Sequence, residues 1–99
     1  MIRKVPLDDY VVETPLPDLV GHDHAPSAFL VYVKLWHACG GPEGRSAAMS
    51  LQTLAVETGL SKSSIQTAIS RLERRGYLAV SRDSATAVPA YRVQAPWRP

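Results

Sequence analysis

The stretch that decides the fold is TGLSKSSIQTAISRLERRG, residues 58–76. Gly59 is a residue type that ends helices, and Ser61 is one that caps the N-terminus of a new helix. Four apolar residues then recur at helical spacing and predict a buried stripe: Ile65, Ala68, Ile69 and Leu72. Gly76 closes the segment. The stretch therefore predicts a glycine turn followed by a helix over 61–75, with its hydroxyl residues at the first turn and its arginines near the end.

The chain on either side of this stretch predicts further elements. Upstream, LQTLAVETG predicts a helix capped by Ser50, and residues 47–49 predict a short strand. A second helix is predicted to begin at Pro26-Ser27 and to cover the stretch SAFLVYVKLWHACGG. It is apolar around nearly its whole circumference, which is typical of a central core helix or a dimer helix. Downstream, YLAVSR and AVPAYRV flank a turn at 83–86 and predict a β-hairpin, in which Pro89 belongs at an edge or a bulge.

The first 26 residues differ from the rest of the chain. They contain Pro6, Pro15, Pro17 and Pro26, which exclude one long helix. Their apolar content is too high for a free disordered tail. We expect residues 1–26 to form an extended N-terminal arm, in which 9–13 is a short strand or an extended segment, and residues 27–99 to form the domain.

The order helix, helix, glycine turn, helix, hairpin resembles the winged helix–turn–helix family. Ala55 lies four residues before Gly59 and Ile65 lies six residues after it, which is the spacing that this family uses. RLERRGYLAV, together with Tyr91, resembles the helix-to-wing junction of regulators of the MarR and GntR types. The resemblance covers residues 27–93 and implies an α+β, mainly helical fold of three helices and a β-hairpin wing at 77–93.

The resemblance also implies a function, which is sequence-specific binding of duplex DNA by a small transcriptional regulator with helix 61–75 in the major groove. Gln66 can pair with adenine, and Lys62 can donate to guanine or to phosphate. Arginines further along the helix would reach flanking phosphates, and Arg82 would belong to the wing. The candidate DNA-binding residues are Lys62, Ser63, Ser64, Gln66, Thr67, Ser70, Arg71, Arg74, Arg75 and Arg82.

Charge is distributed in a way that suits a polyanionic partner for one half of the chain. Residues 1–43 hold three basic and six acidic side chains, hence −3, whereas residues 44–99 hold eight basic and three acidic ones, hence +5. No apolar run approaches the roughly 20 residues that span a bilayer, and the acidic N-terminus is unlike a signal peptide. With the lone Cys39, these features favour a cytoplasmic protein that has no membrane partner.

Other functions remain open at this stage. His22-Asp23-His24 lacks the partner residues of a metal motif, and His37 with Cys39 lacks the arrangement of a nucleophile and its base, so we expect no metal, no cofactor and no enzyme. The apolar helix and the arm are the parts that remain for a homodimer interface. Two alternatives to a regulator are a replication-initiator-like protein of a plasmid or phage and a winged-helix protein-interaction module without DNA affinity.

Overall fold

A computed structural model of the chain describes residues 2–83 and 87–98. The elements in these residues follow in the order α1 (Asp9–Glu13), a π-helical turn (Pro17–His22), α2 (Pro26–Cys39), β1 (Ala47–Ala48), α3 (Leu51–Thr58), α4 (Lys62–Arg74), β2 (Leu78–Ser81) and β3 (Ala90–Val93). The predicted fold class is therefore confirmed, since three main helices are followed by a hairpin of two strands.

The helix ends form as the sequence predicts. The hydroxyl oxygen of Ser50 accepts a hydrogen bond from the amide of Thr53 at 3.1 Å, and that of Ser61 accepts one from the amide of Ser64 at 3.1 Å. Gly59 adopts a φ of 81°, which only glycine adopts without strain. Its left-handed backbone ends α3, and three residues later α4 begins and packs against α3.

The apolar helix α2 lies at the centre of the core. It packs against α3, α4, the sheet and the π-helical turn. Its buried side chains are Ala28, Val31, Tyr32, Leu35, Trp36 and Cys39. Polar atoms on these side chains are satisfied across the core, because the Tyr32 hydroxyl donates to the carbonyl oxygen of Gln94 at 2.9 Å and the Cys39 thiol donates to that of Tyr91 at 3.4 Å. Burial raises the pKa of Tyr32 well above its usual range.

The three strands form one antiparallel sheet in the order β1-β3-β2. Tyr91 of the central strand β3 pairs with Ala47 on one side and Val80 on the other. Pro89 lies immediately before β3 and not at a sheet edge or in a bulge, so its missing N–H removes no bond from the ladder. Its carbonyl oxygen accepts from the amide of Met49 at 3.2 Å. Most of the predicted turn at 83–86 lies outside the described residues.

The N-terminal arm is the main departure from the predicted secondary structure. Residues 9–13 and 17–22 are helical, whereas the sequence predicts extended chain. Pro17 occupies the first turn of the π-helical segment, where the absence of an N–H costs nothing, so proline starts this segment instead of interrupting it. Each segment buries one apolar side chain completely, Val11 in α1 and Leu19 in the π-helical turn. The arm is thus a packed layer of the fold.

The two ends of the chain are joined by a polar and aromatic cluster. Asp8 accepts two hydrogen bonds from the guanidinium of Arg98, at 2.8 and 2.6 Å, and one from the indole N–H of Trp97 at 3.0 Å. The Trp97 ring stacks on Tyr10, with centroids 4.9 Å apart. The pKa of Asp8 is lowered, chiefly by its hydrogen bonds with Arg98, because these favour the ionised carboxylate.

We predict that Asp8→Asn lowers the free energy of unfolding by about 1 kcal/mol at neutral pH. The folded-state pKa of Asp8 lies below its usual value of 3.8, so its contribution is present above that value and is lost as the pH falls through the folded pKa. Urea unfolding of both proteins at pH 7 and at pH 3 checks this. Asp9→Asn, at an exposed neighbour, is the control. An equal loss at both pH values would contradict the assignment.

Candidate nucleic-acid interface

Helix α4 is buried along one face and exposed along the other. Ile65, Ala68 and Leu72 are buried where α4 packs against α2 and α3. The exposed residues on the opposite side follow at spacings of three and four, which places them on one helix face. They are Ser63, Gln66, Thr67, Ser70 and Arg74. Five of the ten predicted DNA-binding residues therefore form one continuous polar stripe.

The first turn of α4 carries a small network of hydroxyl groups. Besides capping the helix, Ser61 donates to the hydroxyl oxygen of Ser64 at 2.9 Å, and its hydroxyl lies 3.2 Å from that of Ser63. Ser63 and Ser64 both line a groove between α4 and the start of α2, and Ser64 is the less exposed of the two. Lys62 is exposed at the helix N-terminus. Ser64 therefore serves the helix end, whereas Lys62 and Ser63 face outward.

On one flank of the polar stripe, a groove of about 560 Å³ separates α4 from the sheet. Gln66, Ser70 and Glu73 line it from the helix, and Arg82 lines it from the segment that follows β2. The structure thus brings Arg82 to the same side as Gln66, although the two residues are far apart in sequence. Glu73, which is not among the predicted DNA-binding residues, brings a negative charge into the same groove as the positive charge of Arg82.

On the other flank, two predicted DNA-binding arginines meet acids of the N-terminal arm. Arg75 forms an ion pair with Asp18, and its Nη1 lies 3.4 Å from both carboxylate oxygens of Asp23. Arg71 Nη1 lies 3.5 Å from Oδ2 of Asp23. Arg74 differs from both, because among the described residues its side chain contacts no carboxylate, and its Nε donates to the carbonyl oxygen of Ser70 at 3.4 Å.

The π-helical turn determines where the two acids lie. The amide of Asp23 donates to the carbonyl oxygen of Asp18 at 2.8 Å, a five-residue bond that puts the two residues one turn apart. The Asp23 side chain is only 6% exposed, and its Oδ2 has no hydrogen-bond partner among the described residues. This buried carboxylate depends on Arg71 and Arg75 for its counter-charge. The sequence analysis did not predict the pairing of Asp23 with these arginines. The acidic charge of residues 1–43 was the feature that pointed to acidic partners for basic residues elsewhere.

Two other groups of residues have clear positions. Ligand-type atoms of Asp18, His22 and Asp23 lie within 4.8 Å of one another, but guanidinium groups already neutralise both carboxylates, which disfavours an additional cation there. Cys39 is fully buried beneath the sheet, whereas His37 is exposed, so the two do not form a nucleophile–base pair.

Three features define a winged helix–turn–helix protein. They are a helix pair joined by a glycine turn, a polar outward stripe on the second helix, and a strand pair beside it. The sequence model of a helix-turn-helix domain family matches residues 25–78, just over half of the chain, and the chain belongs to this family. No match to a curated protein or to a solved structure was found. None of the described helices has the length and hydropathy needed to cross a bilayer.

We predict that replacing both flank arginines, Arg71→Gln with Arg75→Gln, lowers the free energy of unfolding by about 2 kcal/mol. The substitution leaves the buried carboxylate of Asp23 without counter-charge, and the partial exposure of the arginines moderates the cost. Arg74→Gln changes an exposed arginine of the same helix and should cost less than about 0.5 kcal/mol. Urea unfolding monitored by circular dichroism measures both. Equal losses per arginine would show that Asp23 does not need these partners.

Proposed function

We propose that this protein is a small transcriptional regulator that binds duplex DNA in a sequence-specific manner, with α4 in the major groove. The observation that carries the proposal is the polar stripe of α4, since its side chains are exposed, short or flexible, and able to donate and accept hydrogen bonds. Membership of the helix–turn–helix family supports it, because these domains insert their second helix into the major groove.

The residues of the interface take different roles in this proposal. Ser63, Gln66, Thr67 and Ser70 face base edges, and Gln66 is suited to bidentate pairing with adenine. Lys62 and Arg74 contact phosphates and fix the register of the helix on the duplex. Arg82 follows β2 and belongs to the wing, on the minor-groove side. Arg71 and Arg75 are candidates for flanking phosphates, and Ser64 for the helix end.

A binding role is favoured over a catalytic one by the position of the single thiol. Cys39 is completely buried, and its thiol donates to the backbone carbonyl oxygen of Tyr91. A buried apolar thiol cannot act on a substrate. An unpaired cysteine also suits a reducing compartment, which supports a cytoplasmic location.

We also propose that the protein acts as a homodimer through an apolar groove between α2 and α3. Phe29, Leu30 and Val33 line this groove of about 490 Å³. Leu30, in the middle of this lining, is 51% exposed. At the rim of the groove Lys34 pairs with Glu57 at 2.6 Å. An exposed apolar groove with one basic and one acidic side chain at its rim is suited to self-association about a two-fold axis.

The DNA contacts predict a strong dependence on salt. We expect Lys62→Gln with Arg74→Gln to weaken binding and to reduce the slope of log Kobs against log salt by about 2, roughly 0.9 for each lost phosphate contact. Fluorescence anisotropy of a labelled random-sequence duplex pool, titrated between about 50 and 200 mM salt, measures this.

Arg45→Gln, an exposed charge change in the loop after α2, is the control and should alter the slope little. If the wild-type protein does not bind the pool even at the lower salt, the DNA proposal is wrong and a protein-interaction module is favoured. If it binds, sequences selected from the pool would reveal the site, and symmetric half-sites would support a dimer.

The homodimer has its own test. Leu30→Glu places a charge in the apolar groove and should convert the dimer to a monomer, whereas Ile2→Glu alters an exposed apolar residue outside that groove and should not. Sedimentation equilibrium gives the mass of each protein. A wild-type protein that stays monomeric at about 100 μM would contradict the dimer without affecting the DNA proposal.

A further inference from the structure

The cluster formed by Asp18, Asp23, Arg71 and Arg75 joins the N-terminal arm to one flank of α4. Its formal charge is zero, with two carboxylates against two guanidinium groups. Because it lies beside the polar stripe, it sits where the helix would meet a flanking DNA strand. The pairing of Arg71 and Arg75 with these acids therefore decides how many basic side chains at α4 are available to phosphate.

The two arginines are held to different extents. Arg75 is paired with both acids, whereas within residues 2–83 and 87–98 the one acid near Arg71 is Asp23, at 3.5 Å. The side chains of both arginines are about one third exposed, at 33% for Arg71 and 35% for Arg75. Each therefore remains reachable from solvent while its charge is already neutralised.

Carboxylate and phosphate are recognised by the same feature of arginine, a planar fork of N–H donors. We propose that Asp18 and Asp23 compete with DNA phosphate for Arg71 and Arg75, so that the arm acts as an intramolecular competitor on one flank of the interface. This inference rests on the proposed DNA binding. In the unbound protein, the cations that α4 offers to phosphate without displacing an internal acid are then Lys62 and Arg74.

The burial of Asp23 makes the competition effective. If a phosphate withdraws Arg71 and Arg75, the Asp23 carboxylate, which is only 6% exposed, is left without an arginine or lysine partner among the described residues. The exposed imidazole of His22 stays beside it, with Nδ1 3.0 Å from Oδ1 of Asp23. An uncompensated buried carboxylate is unfavourable. The backbone bond from the amide of Asp23 to the carbonyl oxygen of Asp18 and the buried Leu19 hold the turn that carries both acids.

The test is to remove the acids and measure DNA binding. Asp18→Asn with Asp23→Asn keeps the size of both side chains and frees both arginines. In the anisotropy assay we expect affinity to rise about tenfold at about 100 mM salt and the slope of log Kobs against log salt to steepen by up to about 1.8. Glu13→Gln with Glu43→Gln makes the same change in net charge at exposed acids, and should raise affinity much less without changing the slope.

A double-mutant cycle identifies the arginines as the groups that are released. Arg71→Gln with Arg75→Gln should reduce the slope of log Kobs against log salt by about 1.8 in the double-asparagine background, and by less in the wild-type background, where both arginines are already paired. The proposal is overturned if the reduction in slope is equal in the two backgrounds. It is also overturned if the asparagine variant binds more weakly than wild type, because the acids would then position the arginines for phosphate.

Failure of this inference differs from failure of the proposed function. If neither the wild-type protein nor any variant shows salt-dependent DNA binding, the proposed function and this inference are both overturned. A wild-type protein that binds while the asparagine variant behaves as the glutamine control overturns the competition alone. Circular dichroism verifies folding. If the double variant is unfolded, the single variant Asp18→Asn replaces it, because the Asp18 side chain is 32% exposed and its substitution disturbs the core less. This variant should give about half of the change in slope. An unchanged slope overturns the proposal here too.

Discussion

The packing of α4 against the central helix α2 is the constraint on which the rest of the structure depends. Ile65, Ala68 and Leu72 are buried where α4 packs against α2 and α3, and their burial fixes the rotation of α4 about its own axis. Once these three side chains face inward, the spacing of the helix turns Gln66, Ser70 and Arg74 outward. The outward polar stripe is thus a consequence of the core, and a change in the buried stripe would rotate the polar one.

The N-terminal arm extends this dependence to the charges. Trp97 lies between Tyr10 and Trp36, with ring centroids 4.9 and 6.4 Å away, and so connects the C-terminal segment, α1 and α2. The indole N–H of Trp36 also donates to the carbonyl oxygen of Pro6 at 2.8 Å. With the arm fixed in this way, Leu19 anchors the π-helical turn in the core. Asp18 and Asp23 are then presented to α4 at a set distance.

The two flanks of α4 consequently differ in electrostatic character. The flank next to the sheet carries Arg82 and Glu73 across an open groove, whereas the flank next to the arm carries arginines that are neutralised at short range. A protein of this kind can have many basic residues on and around α4 and still leave few of them without an acidic partner. Net charge counted from the sequence describes long-range attraction, and the ion pairs decide which contacts form.

The sequence by itself determined the helix ends, the glycine turn and the buried stripe of α4, because caps, positive-φ glycines and apolar periodicity act within a few residues. It also determined the polar stripe, which is the remainder of the same periodicity. Only the tertiary structure decided that residues 9–13 and 17–22 are helical, since Val11 and Leu19 gain by packing on elements distant in the chain. It likewise decided that Arg71 and Arg75 meet Asp18 and Asp23, because an ion pair between residues more than 45 positions apart depends on how the arm folds back, and no local pattern encodes it.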